Sequence, residues 1–389
     1  MKIPTAWLQL KFYPLRLVVA VAGVCFSIFL IFMQLSFQDA LFDSAVSLYE
    51  PLDADIFILS SRSSALIAME NFPERRLSQS LAVENVAEVI PLYLGFAQWR
   101  NPVRKNYWRS IYIIGIDPSQ SVFNLKSVEE NRFRLQLPDT VLFNEHSRAE
   151  YGPIPELFRQ RGELKTEIGD RGSSNREVTV VGLFPLGISF GADGTILTSD
   201  LNFQRILPGR KKGFINLGGI KLQDESKLDI TLEALRDYLP NDVKVFSKAE
   251  IFAFEKNYWA TGSPIGFVFA LGVGIGLSVG VVITYQVLYS SISQHLSEYA
   301  TLRAVGYRQR YLLGVVFQEA VFLALFAYVP GIIFTSFATK LARDATNLPV
   351  YIDVNKAIIV LLLSCLMCFV SGGIAVRKLQ DADPADVFY

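Results

Sequence analysis

Pro264-Ile-Gly-Phe-Val-Phe-Ala-Leu-Gly-Val-Gly-Ile-Gly-Leu-Ser-Val-Gly-Val-Val-Ile-Thr-Tyr-Gln-Val-Leu-Tyr-Ser290 carries no charged side chain. About 20 apolar residues in a helix cross the roughly 30 Å hydrocarbon core of a bilayer, so this run reads as a membrane span. Working outward from it, Leu17 to Phe37, Tyr311 to Ala338 and Ala357 to Val376 read the same way. Lipid satisfies no loose backbone group, so all four are expected as helices. Composition agrees. Of 389 residues 51% are hydrophobic and 19% charged, against about 25% charged in soluble domains, and the mean hydropathy is +0.31. The 37 basic residues cancel the 37 acidic ones, which leaves no net field to gather nucleic acid. With 29 Phe and 16 Tyr, the chain is too apolar to stay disordered.

The spacing of the spans sets the organisation. Residues 1–16 form an amphipathic N-terminal segment, 17–37 the first span and 38–258 a large domain. Then come the second span at 264–290, a loop at 291–310, the third span at 311–338, a short loop at 339–356, the fourth span at 357–376 and a tail at 377–389. Lys2, Lys11 and Arg16 precede the first span, whereas Asp39, Asp43, Glu50, Asp53 and Asp55 follow it. The positive-inside rule then places both termini in the cytoplasm, and the first span reads as a retained anchor. Arg303, Arg308, Arg310, Arg377 and Lys378 agree; Lys340, Arg343 and Lys356 run against it.

The large domain alternates short apolar runs with turn residues: Asp55 to Ser60, Glu88 to Phe96, Ile111 to Ile116, Thr140 to Phe143, Glu177 to Leu183 and Gly194 to Leu197. Near its end, Gly219 to Leu222, Leu228 to Leu239 and Val243 to Phe246 make a strand–helix–strand unit of the ferredoxin-like kind. The expected fold is therefore four transmembrane helices carrying a large α+β domain of two lobes. One is ferredoxin-like, and the other is an inserted β-rich lobe over about 122–210.

Catalytic patterns are scarce. His146 beside Glu145 is a surface pair on a strand and turn, and the serines around Arg62 lack a Gly-x-Ser-x-Gly elbow. Cys25, Cys365 and Cys368 all fall in spans, so no disulfide frames the large domain. No Gly-x-x-x-x-Gly-Lys-[Ser/Thr] cradle exists, so no ATPase site is expected within the chain. Two histidines and three cysteines also leave no zinc cluster to build. Trp99, Arg100, Arg104, Tyr107, Trp108 and Arg109 interleave cations with aromatic rings, suited to anionic headgroups or an amphipathic ligand. A solvated hairpin tip is the alternative.

Glu298-Tyr-Ala-Thr-Leu-Arg-Ala-Val-Gly-Tyr307, between the second and third spans, is the most specific motif. Together with Gln318-Glu-Ala320, Arg377-Lys378 and Asp383-Pro-Ala385 it resembles the FtsX/MacB-type permeases of ABC transporters. Trp7 to Arg16 and Tyr112 to Asp117 are similar to the cyanobacterial DevC type. The resemblance implies a homodimer in a bacterial inner membrane and a separate ATPase subunit that binds ATP and magnesium. It also implies a periplasmic membrane-fusion adaptor leading to a TolC-like outer-membrane duct, and export of a glycolipid or other envelope component. Glu298, Leu302, Arg303, Gly306 and Tyr307 would contact the ATPase. Division regulators of the FtsX kind, which act on wall hydrolases, and lipoprotein-releasing permeases share the pattern.

Two intramembrane features complete the expectations. Glu319 lies within the third span, where a carboxyl is costly unless hydrogen-bonded, so a buried structural bond or a proton relay is expected. Gly272, Gly276 and Gly280, spaced by four, let another helix approach closely, within the chain or across a dimer.

Overall fold

The computed structural model describes residues 12, 14–169, 175–187, 189, 191–295, 298, 301, 305, 307, 309–346 and 348–380. Along the chain these form α1 (Pro14–Ala45), β1 (Ile56–Ser60), β2 (Phe72–Pro73), α2 (Glu74–Gln79), β3 (Val86–Arg100) and β4 (Trp108–Ile116). Next come α3 (Lys126–Asn131), β5 (Thr140–Asn144), α4 (Ile154–Arg161), β6 (Leu164–Gly169), β7 (Arg176–Phe184), β8 (Thr195–Ser199) and α5 (Asp200–Ile206). The remainder is β9 (Phe214–Ile215), β10 (Leu217–Leu222), α6 (Leu228–Tyr238), β11 (Val243–Ser247), α7 (Lys248–Asn257), α8 (Pro264–Gln294), α9 (Gln309–Thr346) and α10 (Val354–Gln380). Two compact units result: Met1–Ala40 with Pro264–Tyr389, and Leu41–Ser263.

In the first unit, α1, α8, α9 and α10 contain segments long and apolar enough to cross a membrane: Leu17–Ala45, Pro264–Gln294, Leu313–Thr346 and Val354–Arg377. The helices overrun the apolar stretches read from the sequence. Hydrocarbon thickness limits the apolar stretch and not the helix, so α1 continues through Gln38, Asp39 and Asp43. Ala20, Val24, Ile28 and Ile31 of α1 are buried among Ala320, Leu323, Ala324 and Ala327 of α9, with Val360 and Met367 of α10. Lys356 Nζ sits 3.1 Å from an Asp39 carboxylate oxygen and donates to Tyr351 O at 2.8 Å. Arg343 lies over the Tyr351 ring, 5.4 Å from its centroid. Two of the three bases that run against the positive-inside pattern are therefore engaged by a carboxylate, a carbonyl and an aromatic face.

The second unit is organised by β3. Its first half, Val86 to Leu92, pairs antiparallel with β10, and β1 lies between β10 and β11. The order β11-β1-β10-β3 interlocks two β-α-β units, β1-α2-β3 and β10-α6-β11. The second half of β3, Tyr93 to Arg100, pairs with β4, and the order continues through β8, β5, β7 and β6. Gln98 and Trp99 then pair with Gly169 and Ile168 of β6, which closes six strands into a ring. Where β3 passes from one sheet to the other, Asn216 bridges. Its backbone N–H donates to Leu92 O at 3.1 Å, its Oδ1 accepts from Leu94 N–H at 2.9 Å, and its Nδ2 donates to Asn71 at 2.7 Å.

The β-rich portion is thus larger than the 122–210 insertion expected from the sequence, since it takes in half of β3 and all of β4. Both are apolar strands that the linear reading assigned to the surrounding lobe. Burial explains why. Every residue of β1, β5 and β8 is buried, so these strands carry no alternating exposed face to separate one sheet from another.

Candidate functional site

The loop between α8 and α9 belongs to the helical unit. Glu298 has helical backbone geometry; its side chain is 61% exposed, and its Oε2 lies 3.1 Å from His295 Nδ1. Val305 N–H donates to Thr301 O at 3.0 Å, the i→i−4 bond of a helical turn. Tyr307 is 47% exposed, and its ring centroid is 4.9 Å from that of Tyr311 in the first turn of α9. The loop therefore presents a carboxylate, an aromatic ring and the exposed Val305 to solvent. Leu302, Arg303 and Gly306 lie outside the described residues.

The glycine row of α8 faces the chain's own helices. A Cβ on Gly272 would meet the Gln34 amide at 2.5 Å, one on Gly276 would meet Ile31 Cγ1 at 3.0 Å, and one on Gly280 would meet Met367 Sδ at 2.2 Å and Ser27 Cβ at 3.1 Å. These contacts are all within the chain. Ser371 Oγ of α10 reinforces them by donating to Val281 O of α8 at 2.9 Å. Glu319 is wholly buried in α9 beside buried Ala320.

The aromatic and basic stretch does not form a single exposed patch. Trp99 is 0% exposed. Its indole N–H donates to Tyr151 O at 3.3 Å, and its ring centroid lies 5.4 Å from Phe143 on β5. β3 and β5 are three strands apart around the closed ring, so this contact crosses its interior. The cause is strand alternation: Ala97 and Trp99 point inward while Phe96, Gln98 and Arg100 point outward. Arg100 pairs with Glu167 and lies 5.7 Å from the Trp108 ring centroid. Arg109 pairs with Asp193 and Glu150, and the Asp193 hydrogen bond holds its guanidinium above the ordinary value. With those cations neutralised locally, Arg104 and Tyr107 remain exposed on the β3–β4 hairpin tip.

Sequence reasoning passed over Glu255. It lies on α7, which a full capping box starts: Ser247 Oγ accepts from Glu250 N–H at 3.2 Å, and the Glu250 carboxylate accepts from Ser247 N–H at 2.8 Å. Glu255 is 1% exposed. Both of its oxygens accept from Leu66 N–H, at 3.1 and 2.9 Å, and Oε1 accepts from the Trp259 indole at 3.3 Å. Leu66 opens the 3₁₀ turn Leu66–Ala68, so the carboxylate satisfies a helix-start N–H that has no partner within the turn. Burial pushes the carboxyl up to about 7, and the two hydrogen bonds pull against it. Tyr49 and Tyr112 face the same pocket of charge, and burial followed by the Glu255 carboxylate raises both phenols. The sequence signal was the row Ile251, Glu255, Trp259 at intervals of four, which sets an acid between two apolar residues on one helical face.

Residues 265–384 match the family described as FtsX-like permease C-terminal. No curated protein matches the chain. Among solved structures, the periplasmic region of MacB from Actinobacillus actinomycetemcomitans is similar at 12% identity with a TM-score of 0.34, over 54% of this chain and 96% of that one. The extracellular domain of the noncanonic ABC-type transporter YknZ from Gram-positive bacteria is similar at 16% identity with a TM-score of 0.32, over 50% of this chain and 99% of that one.

Proposed function

We propose that this chain, whose residues 265–384 match the FtsX-like permease C-terminal family, is the membrane subunit of an ABC transporter and works with an ATPase carried on another chain. The carrying observation is the extent of that match, which takes in α8, α9 and α10 with the loop between α8 and α9. The 291–310 loop is the contact for the ATPase. Its exposed Glu298 and Tyr307, with Leu302, Arg303 and Gly306 between them in sequence, suit a cleft on the partner subunit. ATP and magnesium stay with the ATPase subunit. Closure of that subunit displaces the loop, the helices carry the displacement, and the Leu41–Ser263 domain changes shape on the far side of the inner membrane. Substrate is then driven from the periplasm, not through a pore.

In the finer reading the chain is of the DevC type, acts as a homodimer, and hands a glycolipid or other envelope component to a periplasmic adaptor and TolC-like outer-membrane duct. The test is a mild-detergent pull-down of tagged full-length chain from native membranes, with co-purifying proteins identified. An ATPase together with an adaptor supports the exporter. An ATPase with a wall hydrolase moves the assignment to a division regulator of the FtsX kind, one with lipoproteins moves it to a releasing permease, and no ATPase overturns the reading.

A further inference from the structure

We propose that Glu255 is a proton-operated switch in the Leu41–Ser263 domain: neutral, it keeps the surrounding junction dry and closed, and ionised, it drives the junction toward a hydrated, open arrangement.

Leu66 and Trp259 bond this carboxyl, and Tyr49 lies close enough to feel its charge. Tyr49 comes from the stretch following α1, Leu66 from the stretch following β1, and Trp259 from the π-helical turn Tyr258–Gly262 that leads toward α8. The outer surface of the same junction is held by ordinary polar contacts: Lys256 to Asp43 at 2.7 Å, and Lys248 Nζ to the carbonyls of Glu50 and Leu52 at 3.0 and 3.3 Å. Its centre is different. The donors to Glu255 are a peptide N–H and an indole, both uncharged, and no ion pair reaches it among the described residues. The titratable groups facing it are Tyr49 and Tyr112, neither of which supplies positive charge; Lys256, next along α7, is turned to Asp43.

The setting is also short of hydrogen bonds for the ionised state. The hydroxyls of Tyr49 and Ser47 are buried without a partner among the described residues, so neither donates to the carboxylate. Beside them Ser47, Leu66, Tyr112, Ser189 and Thr195 help line a cavity of about 10 Å³, room for about one water molecule. An ionised carboxylate in this place gains by drawing water toward it, whereas a neutral carboxylic acid carries much less of that desolvation cost. Any arrangement that wets Glu255 restores an ordinary carboxyl, so by linkage it is favoured as protons leave. The upward displacement of the carboxyl by burial points the same way.

The inference concerns one domain and does not rest on the transporter reading. It is tested by hydrogen–deuterium exchange of the full-length chain in lipid nanodiscs between pH 5 and 9, with intrinsic exchange rates divided out. In wild type, opening of the peptides covering 62–70 and 254–263 rises by about 75-fold from pH 5 to pH 9, as expected for a carboxyl moving between about 7 when closed and the ordinary 4.5 when open. Glu255→Gln, a fixed neutral mimic, stays protected across the range. Trp259→Phe removes one donor to the carboxylate and moves the midpoint of opening to higher pH, which keeps the test available should Glu255→Gln not fold. A flat wild-type profile, the same rise in Glu255→Gln, or an unmoved midpoint in Trp259→Phe overturns the proposal.

Discussion

Single side chains here invert what their type suggests. Trp99 sits in a stretch rich in arginine, yet it is the centre of a closed ring of strands. Trp99→Ala should therefore cost about 3–5 kcal/mol, the range for emptying a large aromatic site, whereas Arg104→Ala on the exposed tip should change stability by less than about 0.5 kcal/mol. Chemical denaturation of the two variants checks the contrast. Glu255 gives a pH dependence whose sign follows from its direction of shift. Its folded carboxyl lies at about 7, above the ordinary 4.5, so its stabilising share is full below 4.5 and is lost as pH rises through 7. That share is on the order of 3 kcal/mol. The melting temperature of wild type should fall relative to Glu255→Gln over this window. Neither residue was legible from composition. The alternation Gly95-Phe-Ala-Gln-Trp-Arg100 contained the inward assignment of Trp99, but the mixed cation and aromatic content drew attention to the surface. Glu255 was hidden because nothing local shows that Leu66, 189 positions away, supplies its N–H.

At the scale of elements, α8 depends on small residues where it meets α1 and α10. Gly276→Leu should separate these helices, because even a Cβ there reaches Ile31 at 3.0 Å, whereas a Cβ on Gly274 meets nothing within 4 Å, which makes Gly274→Leu the control. Thermal stability in detergent should drop for the first and hold for the second. Ser247→Ala removes the cap of α7 and should cost about 1 kcal/mol, read by denaturation of the full chain. Helices of this kind are legible because a long apolar run specifies its own hydrogen bonds, and no distant partner is needed. The ring of strands is not, because its closure depends on Gln98 meeting Gly169, a pairing between remote segments with no local turn to announce it. The β-α-β units fall between: α6 has an amphipathic pattern of its own, with Thr231, Leu232 and Leu235 buried, but its flanking strands acquire their order only through β1.

For the whole molecule, the transporter reading makes the loop between α8 and α9 the input. Gly306→Pro should leave the protein inserted and still able to bind its ATPase, with hydrolysis no longer matched by export; normal export would refute the role given to that loop. At the other end of the design stands β3, which belongs to both sheets of the large domain. Its 15 residues span about 50 Å of contour at the usual strand rise. A bend between Leu92 and Tyr93 would have to break the Asn216 bridge, which ties Leu92 O to the Leu94 N–H across that point. β3 is therefore a girder: the interlocked β-α-β sheet and the closed ring share one continuous strand braced at their junction by Asn216, so a push on one is handed along that strand to the other.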